Sequence, residues 1–148
     1  MKRILFILAL LVLARPVAAA ELTAHDAWVR LMPPVAQSSA AYMTLKNDSG
    51  VDVSVIGVTS DAASATDLHA MRMQNGRMIM FPMESVIVPA HGQFSFAPGG
   101  VHIMLMGLRQ PLKPGQHVNV VLHLSDGESM QVQVPVRDMR KDGHRHMR

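Results

Sequence analysis

Two histidines and a run of methionines hold the chemistry of this 148-residue chain. His69 is followed by Met71, Met73, Met78, Met80 and Met83, and His102 stands two residues before Met104. In a β-strand, residues i and i+2 point to one face, about 6.6–6.8 Å apart, so His102 and Met104 project side by side. Asn75-Gly76, between two segments of strand-like sequence, is a hairpin signal. With those two as the loop, Gln74 pairs with Arg77, Met73 with Met78, Met71 with Met80 and His69 with Pro82. His69, Met71, Met78 and Met80 then share one face, and Met80 becomes a diagonal neighbour of His69, a spacing long side chains can span. A slip of one residue would send Met80 to the opposite face.

Imidazole and thioether without thiolate or carboxylate is a soft donor set that favours copper, Cu(I) above all. Zinc prefers Cys, His and carboxylate, and calcium and magnesium need oxygen ligands. The chain has no cysteine. It therefore has no thiolate for a blue-copper centre, no nucleophilic thiol and no disulfide to support an exported fold. The sequence offers no Ser-His-Asp order to defend and no carboxylate near the His/Met cluster to act as a base. The expectation is a metal-binding protein, not an enzyme.

These side chains need a frame of strands. Short β-branched or alternating segments fall at 21–31, 41–46, 51–59, 67–73, 77–83, 86–88, 93–96, 101–108, 117–124 and 129–136, with turn residues between them. Turns every eight to twelve residues, with no sustained helical period, predict an all-β sandwich or barrel. A cluster of Ala and Ser predicts one short helical turn at 61–65. Trp28 and Tyr42 are expected as core anchors, and His25, His91, His117 and His123 as ordinary surface or strand-end residues. Met71, Met73, Met78 and Met83 read as core filler or as a collar around a metal. Met106 shares the His102/Met104 face and is expected to pack below them.

Residues 1–20 read as a cleaved signal peptide: Lys2-Arg3, an apolar run from Ile4 to Ala14, and Ala18-Ala19-Ala20. The run is too short to span a bilayer, so no stable membrane insertion is expected after cleavage. Without Lys2, Arg3 and Arg15, eleven basic and eleven acidic residues remain, and the basic character of the whole chain gives no reason to expect nucleic acid. Residues 21–136 form the expected domain. Residues 137–148 read as a flexible basic tail, with five basic residues against two acidic. His144, His146 and Met147 in that tail make a second candidate metal site, suited to Cu(II) through its imidazoles; the alternative is a solvated extension.

The spacing His69-x10-Met80-x21-His102-Ile103-Met104 resembles the motif of the PCuAC family of periplasmic copper chaperones. The similarity extends through Ala27-Trp28-Val29-Arg30, Ala40-Ala41-Tyr42-Met43 with Asn47, and Pro98-Gly99-Gly100 to Leu105. It covers nearly the whole of 21–136. The resemblance implies a cupredoxin-like Greek-key β-barrel, Cu(I) held by His69, Met80, His102 and Met104, and a periplasmic location. It also implies delivery of copper toward the Cu(A)-bearing subunit of cytochrome c oxidase, beside Sco-like proteins. A copper-sequestering tolerance protein with no recipient is the alternative that the residues leave open.

Overall fold

The computed structural model describes residues 21–139. The signal segment and the tail residues His144, His146 and Met147 lie outside the described residues. Ten strands follow in chain order: β1 (Leu22–Arg30), β2 (Ser38–Asn47), β3 (Val53–Ser60), β4 (Ala63–Gln74), β5 (Arg77–Met83), β6 (Val86–Val88), β7 (Gln93–Phe96), β8 (His102–Leu108), β9 (His117–Leu124) and β10 (Ser129–Arg137). One sheet runs β5-β4-β8-β2-β1, with β7 also paired to β2. The other runs β10-β9-β3-β6, and a short parallel pairing of β1 with β10 joins the two. This is the all-β, cupredoxin-like sandwich that the sequence predicts.

Alternation sets which way each strand faces. Val118, Val120, Leu122 and Leu124 of β9 turn inward to meet Ala41, Met43 and Leu45 of β2 and Ile103 and Leu105 of β8 in one core. Truncating a fully buried residue such as Ile103 costs about 2–5 kcal/mol. Because Ile103 and Leu105 face in, His102, Met104 and Met106 face out. Period-two geometry thus puts the chemistry on the outer face of the first sheet.

A buried Asn47 anchors the turn after β2. Its amide donates to the carbonyls of Val51 (2.8 Å) and Val88 (3.1 Å). Its Oδ1 accepts from the Ser49 N–H (3.0 Å) and the Ser49 hydroxyl (2.7 Å). At Gly107 the backbone takes φ +62°, and a Cβ built there would collide with Ser64 Oγ on β4. Glycine lets β8 pass close to β4 at that point.

All ten expected strands form, with two changes. The helical turn expected at 61–65 is absent. Asp61 and Ala62 make a tight turn, in which the Ala62 N–H donates to Ser60 Oγ (3.2 Å) and the Asn119 N–H donates to Asp61 Oδ1 (3.1 Å). From Ala63 onward the chain is already strand, with Ala63 paired to Leu108 and Ala65 to Met106. Strand pairing outweighs the local helix preference of alanine. Arg137 belongs to β10 rather than to the tail: it pairs with Arg30, and its carbonyl accepts from the Leu31 N–H at 2.9 Å.

Candidate metal centre

The β4–β5 hairpin has the register the sequence predicts. Gln74 pairs with Arg77, Met73 with Met78, Met71 with Met80 and His69 with Pro82. Asn75 and Gly76 both have positive φ, 51° and 74°, as a type I′ turn requires. Pro82 is tolerated because β5 ends the sheet and needs no donor on its outer side. On its other side β4 pairs with β8, and there His69 lies directly opposite His102 and Asp67 opposite Met104. The turn and two ladders therefore place His69, Met71, Met80, His102 and Met104 on one face.

The two imidazoles differ in their surroundings. His102 is 4% exposed, and its Nδ1 is 3.1 Å from the Gly100 carbonyl. A carbonyl can only accept, so Nδ1 carries the proton and Nε2 keeps a free lone pair. The His69 ring meets His102 edge-on with centroids 6.2 Å apart, a distance that metal–nitrogen bonds of about 2 Å can bridge. His69 Nδ1 is buried and has no hydrogen-bond partner. A buried polar atom left unpaired costs about 1–3 kcal/mol, which makes this nitrogen a candidate donor to a ligand.

A cavity of about 350 Å³ opens in front of the His102 ring, lined by Arg30, Tyr42, Met71, Met80, His102 and Met104 among others, with His69 just outside its lining. Met104 is half-buried and Met80 is 46% exposed. The site is closed at its histidine floor and open at its methionine rim. Among the described residues no three His, Cys, Asp or Glu cluster as a metal site, so a metal here needs the thioethers. The donor set fits a soft ion, as the sequence predicts. A second cavity, of about 260 Å³ beside Asp61, Arg109, Gln116 and His117, lies away from these residues and offers no converging soft donors.

Two expectations need correction, and a third resolves residue by residue. Tyr42 is buried, at 5% exposure, but neither it nor Trp28 belongs to the core cluster between the sheets. They are cross-strand partners on the outer face, with ring centroids 4.4 Å apart, and Tyr42 lies 6.4 Å from the His102 ring. A bulge in β1 between His25 and Trp28, with Asp26 at φ 50°, sets their register. Together with the Arg30 guanidinium, 5.6 Å from the Tyr42 centroid, they wall one side of the site. Burial holds the Tyr42 hydroxyl above its ordinary pKa of 10.0, partly offset by the Arg30 charge. The alternation of Ala41 and Met43 inward against Tyr42 outward was the available signal. Next, a carboxylate does share the face: Asp67 stands opposite Met104 and two residues from His69. Last, the extra methionines divide. Met83 packs against the core, Met71 lines the cavity, and Met73 and Met78 stand exposed beyond it. Among the other histidines, His25 bonds Thr23 and His123 bonds Thr59 and Ser129, remote from the cluster.

Fold and site together define a cupredoxin-like β-domain with an outward-facing His/Met cluster. The family model described as "Putative lipoprotein LpqE-like" matches residues 22–136, and the chain belongs to this LpqE-like family, which is of the PCuAC type. A relative described as "Putative lipoprotein Lxx21020", from Leifsonia xyli subsp. xyli (strain CTCB07), is 44% identical over 101 residues, 68% of this chain. The chain spans only 61% of that relative's length. The solution structure of apo-DR1885 from Deinococcus radiodurans is similar at 30% identity and TM-score 0.62, covering 93% of this chain and 97% of that one. The CuI-DR1885 structure follows at 32% identity and TM-score 0.56, covering 86% and 83%. The copper-bound PCuAC domain from PmoF2 shares the fold at 17% identity and TM-score 0.66, covering 79% and 92%.

Proposed function

We propose that this domain is a copper chaperone that holds one Cu(I) with His69, Met80, His102 and Met104 and releases it to a partner. One observation carries the reading: His69 and His102 face each other across β4 and β8, each with a ring nitrogen spared by the fold, and His102 shares a cavity with Met71, Met80 and Met104. The likeness to a structure described as CuI-DR1885 supports the metal and its oxidation state.

The geometry suggests how the ion leaves. The half-exposed Met80 is the first ligand that an incoming donor can displace, and exchanging a neutral thioether moves no proton. The buried His102 is the last, held in its tautomer by Gly100. The copper stays Cu(I) throughout, so no electron donor is required. Nothing in this scheme calls for catalysis, and we read the protein as a carrier rather than an enzyme.

The recipient we favour is the Cu(A)-bearing subunit of cytochrome c oxidase, beside Sco-like proteins, in a periplasmic setting. The lipoprotein relative fits an exported, envelope-associated protein. For the tail we propose a second, weaker site at His144, His146 and Met147 that takes Cu(II). Removing residues 140–148 should then abolish one weak equivalent and spare the domain site. The main test mixes the Cu(I)-loaded protein with an apo Cu(A) domain. Metal transfer supports the carrier, whereas retention against a competent acceptor favours a sequestering role.

A further inference from the structure

The methionines of the hairpin continue past the site. Along β4 and β5, Met71 faces Met80 and, one step nearer the turn, Met73 faces Met78. Gln74 and Arg77 close the two-residue loop. Antiparallel pairs alternate outward from that hydrogen-bonded pair, so both methionine pairs fall where the strands bring side chains closest. Opposed Cβ atoms there lie about 4.5–5.5 Å apart, and each sulfur sits two bonds further out, so the two sulfurs can meet on one ion. The outer pair stands about 6.8 Å beyond the inner one.

Core packing does not explain this outer pair. Met73 is 63% exposed and Met78 51%. They stand at the tip of a hairpin whose second strand is a sheet edge, where polar or charged side chains normally prevent association. Exposed thioethers are also open to oxidation. The stretch from Leu68 to Met83 contains no Asp or Glu, while Arg72 and Arg77 flank the pair. Without a carboxylate, this stretch offers hard divalent cations no ligand and leaves soft thioether coordination as the available chemistry.

We infer that Met73 and Met78 form a second, weaker Cu(I) station, which receives the ion at the hairpin tip and passes it by thioether exchange through Met71 and Met80 to the histidine floor. The inference rests on the proposed inner Cu(I) site as its destination. Each step between methionines breaks one copper–sulfur bond and makes another, and the last step adds copper–nitrogen bonds to the neutral imidazoles, with no change of oxidation state.

The test uses the full chain with 13C-methyl-labelled methionine, titrated anaerobically with Cu(I). The first equivalent should move the Met80 and Met104 methyl signals. Further additions should move Met73 and Met78 together, while the core-packed Met83 and Met130 stay put. In the Met73→Leu/Met78→Leu protein, which keeps apolar bulk at exposed positions, inner-site affinity should be unchanged. Loading from a Cu(I) chelate should slow by about fivefold or more, because the ion is no longer concentrated beside its destination. Silent Met73 and Met78 signals beyond one equivalent would overturn the outer station. Unchanged loading in the double variant would overturn the relay. A first equivalent that leaves Met80 and Met104 unmoved would instead overturn the inner site, a distinct result.

Discussion

His69 and His102 are direct cross-strand partners on β4 and β8, with rings edge to face and centroids 6.2 Å apart. The contact is fixed by backbone pairing rather than by side-chain reach, so the two imidazoles are preorganised. Rotamer entropy that a flexible pair would lose on binding is already spent in folding.

That preorganisation gives a ranking of variants. His102→Ala and His69→Ala should each lower Cu(I) affinity by about 100-fold or more, beyond the 10–100-fold typical of losing an outer-shell partner. Met80→Leu, at the exposed rim, should cost less and should speed release. Competition against a coloured Cu(I) chelator, with circular dichroism to confirm folding, reads both. If His102→Ala bound Cu(I) as tightly as the parent, the histidine floor would have no role.

Selectivity and pH follow from the donor types. Two thioethers suit Cu(I) and offer little to Zn(II), so zinc at equal concentration should not displace copper. Imidazole must be unprotonated to bind a metal, so protons compete with copper for it. Affinity should fall in acid but not vanish, because thioethers do not titrate. An affinity flat between about pH 5 and 8 would remove the histidines from the ligand set.

Much of this site was legible in the sequence because local rules carry it. Asn75-Gly76 defines the hairpin turn, and the turn sets which methionines face each other. Period two then puts Met104 beside His102. What those rules do not reach is long-range pairing. That β4 lies against β8 with His69 opposite His102 depends on how the sheet assembles, and no turn joins those strands. The same limit hid Trp28 and Tyr42: aromatic residues in a strand read as core, and only the bulge at Asp26 and the inward turn of Ala41 and Met43 show that they face the site.

Asn47 tests whether stability and metal binding are separate. Its side chain satisfies two carbonyls, one N–H and one hydroxyl in the interior. Asn47→Ala leaves the Val88 carbonyl and the Ser49 N–H without this partner, while the Ser49 hydroxyl can still donate to the Val51 carbonyl at 3.1 Å. At about 1–3 kcal/mol for each group left unpaired where no water replaces the bond, a loss of a few kcal/mol is expected. Urea unfolding should show a clearly lower midpoint. Below that transition, Cu(I) affinity should match the parent, because none of these partners lines the site. A parallel loss of affinity in protein shown to be folded would mean that the turn also positions β8.

Tyr42 is the only tyrosine in the chain, so tyrosinate absorbance reports on the wall of the site alone. Burial favours the neutral phenol and raises its pKa, while the Arg30 charge pulls it down. The midpoint in the folded protein should lie above that of the denaturant-unfolded chain, which titrates near the ordinary value of 10.0. The sign for stability follows. Below pH 10 both states hold the proton and stability does not depend on this group. As pH rises past the unfolded value, only the unfolded chain ionises, so folding stability falls until the folded pKa is passed. Arg30→Met removes the lowering influence and should move the folded midpoint further up, widening that window. A midpoint that fell on removing Arg30, or one that matched the unfolded chain in the parent, would show that Tyr42 is not held against the sheet beside His102.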